Sequence, residues 1–593
     1  MTSTTTGKPV IYHVFTRLFG NTNTTNKPWG TIEENGVGKF ADFNDTALRA
    51  IKDYGVSHIW YTGVPHHAVI RSYPGISDDN PEVVKGRAGS PYAVKDYYNV
   101  NPDLATNPEH RMEEFEALIE RTHRHGMKVI IDIVPNHVAR KYESVSAPSG
   151  ARDFGADDDI TVEYARDNNF YYLPNEDFQS PDFPDDVRPL NGEYRGPSFI
   201  ESPAKWTGNG SRHAKPNLGD WYETVKINYG VRPDGSHDFP ALPEGYEHQD
   251  YIAHHDFWAR HELPSSWYKF RDIALYWLDK GVDGFRFDMA EMVPVEFWSF
   301  MNSSIKMHNR NAEVIAEVYQ PHLYRDYIFK GKMDYLYDKV DVYDTLKAIV
   351  QERAGASKLD EDQQKLSDIE PHLLRFLENH DEQRIAHPEF AGSAQRGWPA
   401  MALSTLFGKG PTMLYFGQAQ GEKAEHDLGF GRASRTTIFD YAGVPAHQAW
   451  MNDGRFDGGK LSESQAELDA SYRRLLNFSA NEPCLHGEFI GLHAANLPLD
   501  NNYRDRQYSF IRKDGEQWIL VFINFDFKDS FCDLVIPASI ADQCTGALAG
   551  KTLVEKIGED WLQKNLIGQD NGDLKIAINC PGFGAQVFKL SGQ

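Results

Sequence analysis

The sequence predicts an α/β fold: a (β/α)8 TIM barrel with an irregular domain inserted after strand 3 and a C-terminal antiparallel β-sandwich domain. Three observations predict it. Short apolar segments alternate with amphipathic helical patterns along most of the chain, as in a parallel sheet buried on both faces by helices. The alternation breaks once, over residues 141–254, and then resumes. The tail abandons helices for short strands separated by turns.

The elements follow in order. "PVIYHVFTRLF" (9–19) reads as the first strand. "DFNDTALRAIKDYG" (42–55) reads as a helix capped by Asp45, with Leu48, Ile51 and Tyr54 on one face and Gly55 as its stop. "VSHIWYTGV" (56–64) is the second strand, and "KVIIDIVPN" (128–136) is the third. Between them 107–127 is helical, with Met112, Phe115, Leu118 and Ile119 as its apolar stripe. Residues 141–254 are rich in Asp, Asn, Gly and Pro; a structureless loop that long is improbable, so a subdomain is expected there. Its acidic run "ADDDI" (156–160) reads as a solvated loop. After it come a helix at 265–281 and strands at 282–288, 312–319, 333–338, 372–381 and 410–417. That makes eight strand candidates, the number a (β/α)8 barrel needs. In the tail, "RQYSFIRKDGEQWILVFINF" (506–525) reads as a hairpin turning at Asp514-Gly515. The expected division is 1–140 barrel, 141–254 insertion, 255–487 barrel and 488–593 β domain.

Composition narrows the partners. The chain has 593 residues, too many for one core, and a formal net charge of -25, which argues against nucleic acid or an anionic membrane. A neutral ligand fits better, and 29 Tyr and 12 Trp offer flat apolar faces with polar tips, suited to sugar rings. No run of 18 apolar residues exists, so no membrane span is expected. The start "MTSTTTGKPV" lacks an apolar signal-peptide core. The expectation is a cytoplasmic protein if Met1 is the natural start, and a secreted or periplasmic one if a leader was removed. Cys484, Cys532, Cys544 and Cys580 show no CxxC spacing, which disfavours a zinc or redox motif. They read as free buried thiols, with a Cys532–Cys580 bridge between neighbouring strands as the alternative.

Reacting groups of such barrels gather at the C-terminal ends of the strands. Here those ends carry Asp132, Asn136 and His137; Arg286 and Asp288; Glu317; and Asn379, His380 and Asp381. Taken singly, an Asp at a strand end is usually a turn residue and a His is usually structural. Four strands ending in such groups are hard to attribute to chance. Arg286 and Asp288 alternate onto one side, and a guanidinium there is expected to lower the Asp288 pKa and leave an ionised nucleophile. Glu317 is flanked by Val314, Ile315, Ala316 and Val318. A carboxyl in an apolar setting tends to keep its proton and act as a general acid. Two carboxyls of opposed protonation are what glycoside hydrolysis requires.

On these residues the chain resembles the α-amylase family of retaining glycoside hydrolases (glycoside hydrolase family 13). Asp132, Asn136 and His137 match its Asp-x-x-x-Asn-His segment. Gly284, Phe285, Arg286 and Asp288 match Gly-Phe-Arg-x-Asp; Glu317 ends an apolar strand; Asn379, His380 and Asp381 match Asn-His-Asp. "SPYAVKDYYNVNP" resembles the segment after the second strand, making Tyr92 the sugar-stacking aromatic. The resemblance covers nearly the whole chain, including the inserted domain B and the β domain C. It implies that Asp288 attacks the anomeric carbon, Glu317 protonates the leaving oxygen and then activates water, and Asp381 grips sugar hydroxyls. It implies further that Arg286 holds the nucleophile and that His137 and His380 bond to the sugar. No cofactor is implied for the chemistry. A structural calcium is compatible with the resemblance, with Asn136 among its ligands.

The departures are local. Many family members carry Lys-His three and four residues after the nucleophile; Glu291 and Met292 stand there, which changes a frequent contributor to the calcium site. The implied substrates are α-1,4-linked starch-like glucans or maltooligosaccharides. A glucanotransferase or isomerase using the same covalent intermediate is the alternative, and a non-catalytic sugar binder is disfavoured by the intact Asp288, Glu317 and Asp381.

Overall fold

The computed structural model describes residues 7–544, 548–559 and 562–591. The first residues of the chain, on which the localisation expectation rests, lie outside them.

Eight parallel strands form the central sheet: β1 (Val10–Phe15), β2 (His58–Thr62), β3 (Lys128–Ile133), β4 (Gly284–Phe287), β5 (Glu313–Ala316), β6 (Tyr335–Tyr337), β7 (Leu373–Leu374) and β8 (Thr412–Tyr415). Each pairs with its sequence neighbours, and β1 pairs with β8. A parallel bridge between Arg375 and Thr412 joins the remaining edges, with Arg375 N donating to Pro411 O at 2.9 Å. The result is a barrel, and β-branched and aromatic residues dominate its strands because both of their faces are covered. Phe287 packs at 4.6 Å from the Trp298 ring on helix Val295–His308. Phe285 and Phe287 thus face the helices, and alternation turns Arg286 and Asp288 into the barrel.

Local expectations were met unevenly. The helix expected at 42–55 spans Asp45–Lys52, but its cap is Asn44, whose side chain accepts from Thr46 N and Ala47 N; Asp45 is the first helical residue. The seventh strand is two residues long. Beyond it Asn379 Oδ1 accepts from the Asp381 and Glu382 amides, each at 2.8 Å, and turns the chain. The acidic run read as solvated is an exposed loop at Ala156, Asp157, Asp159 and Ile160, but Asp158 is half-buried and organises its surroundings: its carboxylate accepts from Asn169 N, Phe170 N and Tyr172 OH.

The inserted segment has little regular structure. Its clearest pairing joins His137–Ala139 to Thr224–Lys226, beside the end of β3. The tail forms a six-stranded sheet that includes Gln507–Asp514, Gln517–Asn524 and Gly584–Leu590, and a three-stranded sheet that includes Ser530–Ile536 and Leu574–Cys580. Both contribute to one apolar core, containing Trp518, Leu520, Leu534, Ile576 and Phe588. All four cysteines are free and buried, so the Cys532–Cys580 bridge is not formed.

The β domain docks through a buried charge. Arg512, on Gln507–Asp514, donates to the Glu370 carboxylate and to the Phe407 carbonyl of the barrel. The side chains of Arg512 and Glu370 are 0% and 4% exposed. Removing one partner of such a pair leaves an uncompensated buried charge. Arg512→Met is therefore expected to cost about 3–5 kcal/mol, seen as a lower melting temperature; an unchanged melting curve would show that the contact carries no stability.

Candidate active site

β4 and β5 run in register, with Phe287 opposite Ala316. The next residue on each is acidic: Asp288 and Glu317. The ladder continues past the strand ends, since Glu317 N donates to Phe287 O at 3.1 Å and Asp288 N to Ile133 O at 3.0 Å. Matched positions on neighbouring strands lie about 4.8 Å apart and point the same way.

Arg286 joins the two carboxyl groups. Its Nη1 donates to Asp288 Oδ1 at 2.6 Å and lies 3.4 Å from Asp132 Oδ1. Its Nη2 lies 2.9 Å from Glu317 Oε2, close enough for an ion pair but out of line for a hydrogen bond. Nε donates to the Tyr337 hydroxyl at 3.1 Å. The guanidinium is fully buried, over the rings of Trp60, Tyr92 and Tyr337 at 5.2, 5.5 and 5.5 Å. Burial opposes its charge, but the surrounding acidic groups win and hold it firmly protonated.

The expected lowering of the Asp288 pKa is not what the structure produces. Burial, reinforced by the nearby Glu317 carboxylate, pushes the Asp288 carboxyl well above its ordinary range, and Arg286 opposes this without reversing it. One guanidinium faces three carboxyl groups, so it cannot neutralise all of them. The reading of Glu317 also changes. Alternation sends Val314 and Ala316 to the helix-facing side, so they do not form an apolar pocket around it. Its Oε2 instead meets Arg286 and accepts from Met289 N at 2.8 Å.

The other expected residues surround this pair. His380 Nε2 lies 2.6 Å from the Tyr92 hydroxyl and 2.9 Å from Asp381 Oδ2, with the Tyr92 and His380 rings stacked at 5.1 Å. Burial alone would raise the Asp381 carboxyl; His380 and Arg286 outweigh it and hold it below its ordinary value. Asp381 is the open member of the site, its side chain 37% exposed. His137 is buried beside the Tyr92 backbone, and burial, with Lys226 and Lys85, pulls its pKa down to about 3. It is therefore a neutral ring at ordinary pH.

Sequence reasoning missed a layer beneath these groups. Trp60 Nε1 donates to Asp132 Oδ2 at 2.9 Å, and His13 stacks on Trp60 at 3.7 Å. Their inward positions on adjacent barrel strands were the available signal. Glu291 clamps the loop after β5, accepting from Tyr319 N at 2.9 Å and Gln320 N at 3.0 Å.

The calcium expectation meets an obstacle at Asn136. Its Nδ2 donates to Gly208 O at 2.9 Å, which orients the amide and aims Oδ1 at the Lys226 ammonium. Lys226 Nζ also donates to Met292 O at 3.1 Å. Lys226 is half-buried, and burial pulls its pKa down to about 7. The two carbonyl oxygens act the other way, favouring the charged form. These donors do not fit a calcium ion, because a cation already uses them.

A raised carboxyl pKa has a definite sign for stability. Between the ordinary carboxylate range and the elevated native value, the native state binds more protons than the unfolded one, so stability rises as pH falls through that window. Above it the Asp288 charge is a standing penalty. Asp288→Asn is expected to raise the melting temperature at pH 7, and the gain should shrink as the pH falls toward about 4, where the parent carboxyl is itself neutral. A variant less stable than the parent at pH 7 would contradict this account.

Comparison with known proteins supplies the remaining context. Residues 13–439 match the model of the alpha-amylase catalytic domain. An alpha-amylase of Streptomyces lividans is 23% identical over 582 residues, covering 92% of this chain; the match spans 55% of that relative's own length. A shorter stretch of 91 residues, 15% of this chain and 8% of the relative, is 34% identical to an alpha-1,4-glucan:maltose-1-phosphate maltosyltransferase of Burkholderia pseudomallei. Among solved structures, an alpha-amylase of Geobacillus thermoleovorans complexed with acarbose superposes with a TM-score of 0.60 at 16% identity, covering 100% of this chain and 99% of that one. At that identity the likeness concerns the fold. The family match spans well over half of the chain, and on that ground the protein belongs to the α-amylase family of glycoside hydrolases.

Proposed function

We propose that the protein is a retaining glycoside hydrolase that cleaves α-1,4-glucosidic bonds in starch-like glucans or maltooligosaccharides. The observation that carries this reading is the placement of Asp288 and Glu317 at matched positions on adjacent strands, bridged by one guanidinium. A spacing near the strand repeat of about 4.8 Å suits the 5–5.5 Å of a retaining site and leaves too little room for the water of an inverting one.

The contacts support an allocation of the atoms. Arg286 makes its aligned hydrogen bond to Asp288 Oδ1, which favours the charged carboxylate there against the burial that opposes it, and Oδ2 is left to attack the anomeric carbon. Glu317 Oε2 is occupied as an acceptor from Met289 N, which leaves Oε1 to carry the proton to the leaving oxygen. Once the glycosyl ester has formed, Glu317 takes a proton from water and the ester is hydrolysed. Asp381, open and ionised, faces the positive charge that develops on the ring. Tyr92, stacked on His380, offers its ring to a sugar.

A second reading, transfer of the glycosyl group to a sugar, draws support from the 34% identical stretch shared with the maltosyltransferase. The same intermediate serves both, and the acceptor decides. Time-resolved chromatography of products from starch and maltoheptaose separates them: only shorter products mean hydrolysis, whereas products longer than the input mean transfer. Proton NMR is expected to show the α-anomer released first, and initial β-anomer would overturn retention. Glu317→Gln is expected to lower kcat by about 10²–10⁴-fold. Asp288→Asn is expected to leave no measurable turnover, and full activity in either variant would refute the role assigned to that residue.

A further inference from the structure

Where the resemblance would place calcium, the chain places a lysine. The Asn136 carbonyl oxygen stands at the end of β3, and the Met292 carbonyl four residues beyond Asp288. Both accept from Lys226 Nζ, which projects from the inserted strand Thr224–Lys226. The Asn136 amide cannot turn this carbonyl away without losing its bond to Gly208 O. Calcium requires six to eight oxygen ligands and favours carboxylates among them. The nearby Glu223 carboxylate is already 2.7 Å from the Lys85 ammonium. Among the described residues no group of three or more His, Cys, Asp or Glu side chains is arranged to hold a metal. A divalent ion entering this junction would have to expel the Lys226 ammonium from both carbonyl oxygens.

We propose that Lys226 is a built-in cation that replaces calcium at the junction of barrel and insertion, making that junction independent of metal. Its ammonium joins three segments: the end of β3, the inserted strand, and the loop that follows the nucleophile. A covalently attached cation has a fixed local concentration, so the junction needs no metal supply. Lys226 is a positioning residue. It does not reach the reacting carboxyl groups, but it holds the Met292 backbone four residues from Asp288.

The test uses the full chain and two readouts besides activity. Melting curves of the unmodified protein are recorded in excess EGTA and in millimolar CaCl2, and bound calcium is measured by elemental analysis after desalting. The expected result is one melting temperature in both solutions and no stoichiometric calcium. Lys226→Met, which keeps the stem and removes the charge, is expected to melt several degrees lower and to be cut faster by protease within 137–226. A calcium-dependent shift above about 2 °C in the parent protein would overturn the proposal. So would one bound calcium per chain, or a Lys226→Met variant with unchanged melting and proteolysis. If that variant fails to fold, the chelator and elemental measurements on the parent still decide.

Discussion

A single buried guanidinium organises the candidate active site. Arg286 contacts Asp132, Asp288 and Glu317 and lies over three aromatic rings. Bringing several carboxyl groups into a largely dry barrel mouth is costly unless a cation shares the space. One cation for three acids is insufficient by construction: it permits burial without neutralising every carboxyl group, and the Asp288 carboxyl stays well above its ordinary range. The proposed chemistry and the stability of the site are therefore opposed, because the Asp288 charge proposed to attack the sugar is one the fold would rather neutralise. Arg286 also fixes geometry. Its planar fork reaches neighbouring strands at once, so the carboxyl groups inherit the spacing of the sheet.

Rigid and irregular parts divide the remaining work. The barrel strands set Asp132, Arg286, Asp288 and Glu317 by register alone. Asp381 depends on a loop, and the Asn379 turn brings it to the mouth, partly open to solvent beside buried His380. Glu291 ties the loop after β5, and Lys226 ties the loop after β4 to the insertion. The residues that fix the strands are thus buried and charged in matched sets, and those proposed to face substrate sit where the ladders stop.

Much of this was legible because barrel strands carry period-two patterns. The alternation in "GFRFD" placed Arg286 and Asp288 on one side of the strand, and the eight apolar runs pointed to the barrel. What failed was inference from sequence neighbours. Val314 and Ala316 flank Glu317 in the chain and face away from it in space. Proximity to Arg286 suggested a depressed Asp288 pKa, but burial and Glu317 lie in dimensions a sequence does not display. Asp45 was read as the cap, and only the backbone geometry shows that Asn44, one residue earlier, takes that place. Lys226 was invisible for a different reason: the insertion has no periodicity, so nothing in it foretold a lysine 90 positions along the chain meeting Asn136.

In the proposed reaction Asp288 becomes covalently attached to sugar while held by Arg286. Its most direct test is to trap that state with an activated fluoroglycosyl fluoride, digest the protein, and locate the adduct by mass spectrometry. The account predicts one glycosyl group per chain, on the peptide containing Asp288. An adduct on another residue, or none while the reagent is being turned over, would contradict it.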